Sequence, residues 1–158
     1  SAPAQDTTDT TTTEAPTTEA PTTEAPTTEA PVTEAPTSDL GQQIANFACQ
    51  FVGNPYVWGG TSLTNGADCS GFVQSVYKNF GYSLPRTCTP QSNAGTAVSL
   101  AALAPGDLVF YDHGTGSCEH VGIYIGNGQI VHASSSRTGI KISNVNYSTP
   151  FKACRIVN

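Results

Sequence analysis

The sequence predicts an α+β fold, on three observations. Two segments in the first half of the globular region carry apolar residues at helical spacing. After Pro105-Gly106 the period changes to strand-like alternation. The runs that follow are short and separated by glycine-containing turns. Two helices followed by an antiparallel sheet of about five strands is the expected order.

The first helix is expected over about 40–52. Asp39 stands at its N-cap, Ile44, Phe47, Ala48, Phe51 and Val52 share one face, and Gly53 and Pro55 end it. The stretch YVWGGTSLTNGAD is rich in turn residues. A second helix is expected over about 69–80, capped by Asp68. Phe72, Val73, Val76, Tyr77 and Phe80 form its apolar face, and Gly81 fits C′. Residues 89–107 read as loop or one weak helical turn. DLVFYD, HVGIYI, QIVHAS, GIKISNV and KACRIV read as the strands.

These elements occupy residues 39–158. Residues 1–38 contain no aromatic residue, Lys, Arg or Cys, and contain TTEAPTTEAPTTEAPTTEAPVTEAP, which ends at Pro36. Regularly spaced prolines favour extended polyproline II structure, and the glutamates repel one another. A spacer is expected, with a reach of at most roughly 120 Å at about 3.1 Å per residue. The chain is expected to be the C-terminal part of something longer.

Charge divides at the same boundary. The net charge of −6 comes from the tail, and the folded part is slightly basic, without a basic block that would point to nucleic acid. No apolar run approaches a membrane span, and no basic start with an apolar core opens the sequence. The five cysteines form no CxxC pair, and the three histidines do not join them at zinc-finger spacing, so no metal is expected. An odd count fits one reactive thiol with up to two disulfides, or five free thiols.

Cys69 falls in the first turn of the second helix, where unpaired N–H groups and the helix dipole favour a thiolate. A small buried apolar side chain is the competing reading. His120 and His132 lie on consecutive strands. With residues 126–128 as the hairpin loop, Ile125 faces Gln129 and Gly122 faces His132. Both histidines then share a face as diagonal neighbours, roughly 7–8 Å apart. A two-residue Asn127-Gly128 turn would put them on opposite faces. In the first register the sheet supplies a base, His120, and a group to orient it, His132.

The segments PYVWGG, ADCSGFVQSVYKNFGYSLPRT, LAPGDLVFY, HVGIYIGNGQIVHAS and RIV, in this order and spacing, resemble the NlpC family of cell-wall peptidases. The resemblance covers essentially all of 40–158. It implies a reduced papain-like fold and a cysteine endopeptidase. Its expected substrates are peptidoglycan stem peptides or muropeptides, cut between γ-D-glutamate and the diamino acid. It implies Cys69 as nucleophile, His120 as general base and His132 as the third member. Tyr56 matches a tyrosine beside the nucleophile that helps hold the oxyanion. Asp68 and Ser70 match positions lining the substrate site. No cofactor, no membrane insertion, a monomer and a secreted or wall-associated bacterial location are expected, with an upstream wall-anchoring domain.

Two other functions compete: a Cys–His amidase cutting between glycan and peptide, and a wall-binding module with an idle triad. Among the remaining residues, Trp58 reads as core or rim packing. Arg86 reads as a solvated arginine or a partner for a substrate carboxylate. His113 reads as a surface residue in a loop. Cys118 either lines the site or pairs with Cys88, Cys49 and Cys154 read as core, and the sequon Asn146-Tyr147-Ser148 carries no assigned role.

Overall fold

The computed structural model describes residues 39–157. The repeat expected to act as a spacer lies outside them. Two helices, α1 (Asp39–Cys49) and α2 (Cys69–Lys78), flank a small ribbon of β1 (Thr61–Ser62) and β2 (Gly66–Ala67). A short helix, α3 (Cys88–Gln91), leads into β3 (Thr96–Ala97). The strands β4 (Leu108–Tyr111), β5 (His120–Gly126), β6 (Gln129–Ser135), β7 (Gly139–Asn144) and β8 (Pro150–Arg155) follow.

The main sheet has six strands in the order β3-β8-β4-β5-β6-β7, and every pairing is antiparallel. This is one strand more than expected. The addition, β3, is two residues held opposite Arg155 and Cys154. So short a strand shows no period; its partner creates it.

Each apolar face packs as its pattern dictates. Ile44 and Ala48 of α1 and Phe72, Val73 and Val76 of α2 bury against Leu108, Phe110, Val121, Ile123, Val131 and Ala133 of the sheet. Burying each large side chain contributes about 1.5–3 kcal/mol. The alternate strand residues, Val109, Tyr111, Tyr124 and Ile130, join Leu103, Val145 and Ala153 in a second cluster. By alternation, His120 and His132 belong to this second face.

The helix ends differ from expectation for tertiary reasons. α1 stops at Cys49 because the following turn runs into Gly53 (φ +98°), whose N–H donates to Ile140 O. The last turn of α2 closes through Gly81 (φ +89°), and the Tyr82 N–H returns to Tyr77 O, as a glycine C-cap requires.

Candidate active site

The start of α2 is built around Asp68. Its Oδ1 accepts from the Gly71 N–H at 2.8 Å, capping the helix, and its Oδ2 accepts from the Gly59 N–H at 3.0 Å. Arg86 closes on both oxygens, each at 3.0 Å, and also donates to Ser70 Oγ at 3.0 Å. Burial pushes the Asp68 carboxyl upward, but Arg86, Gly71 and Gly59 outweigh it and hold the group below its ordinary value. Arg86 is therefore neither a free surface arginine nor a free partner for a substrate carboxylate. Its guanidinium locks the loop before Cys69 to the segment after α2. Gly71 packs so tightly that a Cβ there would collide with the Gly60 carbonyl oxygen.

Helix and sheet meet at the thiol. Cys69 is half-buried, and the backbone N–H of Val121, the residue after His120, lies near enough to favour its thiolate. Burial raises the thiol pKa; the Val121 N–H lowers it, the Asp68 charge raises it, and the Ser70 and Cys69 N–H groups lower it. The net direction is upward from 9.0, so the helix start does not leave a standing thiolate in the free site. Local dipoles favour the anion, but desolvation outweighs them.

The histidines come together as the first register requires, by an unexpected route. Asn127 (φ +55°) and Gly128 (φ +74°) do form a two-residue turn, and Gly126 pairs with Gln129. A bulge at Ile125 then shifts the register by one, so Tyr124 faces Ile130 and Ile123 faces Val131. Both alternatives read from the sequence are thus partly present, and the bulge reconciles them. A Cβ on Gly122 would lie 3.3 Å from His132 Cβ and 2.8 Å from Ile130 Cδ1. The glycine makes the room that His132 occupies.

His120 Nε2 and His132 Nδ1 are 2.7 Å apart, and His132 Nε2 is 2.8 Å from Ser143 Oγ. His120 is 6% exposed and His132 0%. Burial lowers His120 to about 3, helped by His132 and His113, and lowers His132 to about 4, helped by Lys141. Both rings are neutral at pH 7. Their contact engages His120 Nε2 and leaves Nδ1 outside it.

Tyr56 lies near the thiol and Asp68. Its phenol is raised by burial, then by the Cys69 and Asp68 charges, so it remains a donor near both. Ser70 is buried, with its hydroxyl engaged by Asp68 and Arg86. Cys118 pairs with Cys88, tying the loop before His120 to α3, while Cys49 and Cys154 are free thiols packed in or against the core. Trp58 is 85% exposed, which excludes the core reading and leaves the rim.

Two residues beside the histidines had no assigned role in the sequence. Ser143 could have been found by extending strand alternation to β7, which puts Lys141, Ser143 and Val145 on one face. Tyr147, set aside within a sequon, packs its ring 5.2 Å from that of His132.

A half-buried thiol at a helix start and a buried histidine pair on an antiparallel sheet make up the residue set of a cysteine peptidase. The NlpC/P60 family model matches residues 53–157, and the chain belongs to the NlpC/P60 family of cysteine peptidases. It is 42% identical over 105 residues to a γ-D-glutamyl-L-lysine dipeptidyl-peptidase of Bacillus cereus, covering 65% of this chain and 31% of that protein. It is 47% identical over 111 residues to a γ-DL-glutamyl hydrolase of Bacillus subtilis, covering 69% of this chain and 26% of that protein. The chain thus spans about a third or less of these curated relatives. The NlpC/p60 domain of the peptidoglycan hydrolase SagA superposes with a TM-score of 0.67 at 36% identity, over 73% of this chain and 98% of that one. Among the described residues no helix is long and apolar enough to cross a membrane.

Proposed function

We propose that the folded domain is a cysteine endopeptidase that hydrolyses the γ-D-glutamyl–diamino acid bond of peptidoglycan stem peptides or muropeptides. The observation that carries this is the His120–His132 contact at 2.7 Å, with the N–H of Val121, the next residue after His120, favouring the Cys69 thiolate. The names of the two relatives share a γ-glutamyl bond, which supports the choice of linkage.

Cys69 is the nucleophile, His120 the base and His132 the orienting member. Thiol and imidazole are neutral until substrate arrives. Cys69 Sγ then attacks the γ-carbonyl carbon as its proton passes to His120 Nδ1. The oxyanion is held by the Cys69 N–H and the Tyr56 hydroxyl. The C–N bond breaks as the imidazolium protonates the leaving amine, giving a thioester. Water attacks this thioester and gives a proton to His120, and the proton returns to sulfur as the carboxylic product departs. Asp68 and Ser70 shape the substrate side of the helix start, and Arg86 holds them there.

For His120 Nδ1 to accept, its proton must sit on Nε2 and point at His132 Nδ1. His132 then carries its own proton on Nε2 and donates to Ser143 Oγ. Ser143 Oγ thereby accepts the last proton of the chain and holds the His132 ring against His120.

Secretion, or association with the cell wall, and action as a monomer belong to the same proposal. The test is digestion of defined muropeptides by the protein and by Cys69→Ala, with products identified by mass. A new free amine on the diamino acid, absent with the variant, is expected. Release of intact stem peptide from glycan would establish the amidase instead, and binding without products would establish the binding module.

A further inference from the structure

Tyr147 follows β7 in a turn that is fastened on several sides. The Asn146 N–H donates to Asn144 Oδ1 at 2.8 Å, and the Tyr147 N–H donates to Asn144 O at 2.9 Å. Val145 is buried in the second apolar cluster, its N–H donates to Gly128 O, and its carbonyl accepts from the Tyr111 hydroxyl at 2.7 Å. The turn therefore presents Tyr147 in a set position.

The ring lies 5.1 Å from Tyr111, 5.2 Å from His132 and 6.4 Å from His120, yet the residue remains 44% exposed. Its phenol is raised to about 12 by burial and then by the Cys69 charge, so it also lies near the nucleophile. Single exposed aromatics are common and need no explanation. This one differs because it borders the two histidines and the thiol together and still keeps a free edge.

The chemistry assigns the side of the cleft. His120 must hand its proton to the leaving amine, so the residue that departs lies on the histidine side of Cys69. Tyr56, Asp68 and Ser70 gather on the helix-start side, where the acyl group remains. We infer that Tyr147 forms the wall of the leaving-group subsite and selects the long side chain of the diamino acid. The aliphatic stem would lie on the ring, and a terminal ammonium would meet its face. This rests on the endopeptidase reading above.

The test compares the full chain with Tyr147→Ala and Tyr147→Phe on two peptides, L-alanyl-γ-D-glutamyl-L-lysine and L-alanyl-γ-D-glutamyl-L-alanine. The wild type is expected to prefer lysine at the leaving position. Tyr147→Ala should reduce that preference about tenfold, mainly through KM, and Tyr147→Phe should keep most of it. If Tyr147→Ala fails to fold, Tyr147→Leu gives the same ratio with bulk but no ring. Equal losses on both peptides, or a wild type without preference, would overturn the subsite. A wild type that cuts neither peptide would fail earlier, overturning the endopeptidase function and the subsite with it.

Discussion

His132 accepts or donates at both ring nitrogens, to His120 at 2.7 Å and to Ser143 at 2.8 Å, while fully buried. A ring so enclosed cannot reorient without losing a hydrogen bond, so the hydroxyl at its far end helps hold His132 in line with His120. Ser143→Ala should lower kcat about tenfold with little change in KM, because a general-base contribution is of order 10²–10⁴ and only its alignment is impaired. Ser143→Thr, which keeps the hydroxyl, should recover most of the rate. Steady-state kinetics of the two variants would check this, and equal losses would sink the positioning role of Ser143.

The direction of the thiol pKa predicts how Cys69 reacts in the free protein. A resting ion pair would alkylate at a rate that levels off in mildly acidic solution. The neutral pair predicts an iodoacetamide rate that climbs with pH through neutrality and beyond the ordinary thiol value of 9.0. Peptide mapping separates Cys69 from Cys49 and Cys154, which are also free.

Acid should weaken the fold through the histidines. Their folded pKa values, about 3 for His120 and about 4 for His132, lie below the unfolded value of about 6.5. The unfolded chain thus binds protons first as pH falls. Stability is flat above about 6.5 and declines from there toward pH 4. Thermal melts at pH 7 and pH 4 would show the decline, and it should be smaller in His120→Ala/His132→Ala.

Arg86→Ala leaves the Asp68 carboxylate, 7% exposed, without its cation. A fully buried pair broken this way costs about 3–5 kcal/mol; here Arg86 is partly solvated, so about 2 kcal/mol is expected. Asp68 has a lowered folded pKa, so the stabilising effect is present above about pH 4 and is lost as pH falls through the folded value. Urea melts should therefore show the wild type and Arg86→Ala converging in acid.

Gly122→Ala forces a methyl against His132 Cβ and Ile130 Cδ1. Overpacking of this kind costs about 1–3 kcal/mol, and here the displaced group is the proposed third member of the triad. The variant should fold with a lower melting temperature and lose more activity than stability. Circular dichroism and kinetics on the same preparation would compare the two.

Much was legible in the chain order. The apolar period of residues 69–80 announced α2, Asp68 announced its cap, and the alternation of 120–125 and 129–134 announced the paired strands. These are local properties, set by side-chain spacing and backbone hydrogen bonding. The family resemblance rested on the same segments. Tertiary structure decided the rest. Asn127-Gly128 by itself specifies a two-residue turn, and only the bulge at Ile125 brings His120 and His132 to one face. Cys69 stands where a helix dipole favours the anion, yet packing against the sheet removes its water and reverses the direction. Arg86 read as a free cation because its partner lies eighteen residues away in sequence. The spacing of neighbours in the chain determined the elements; desolvation and contacts between distant segments determined the charges and proton positions within the site.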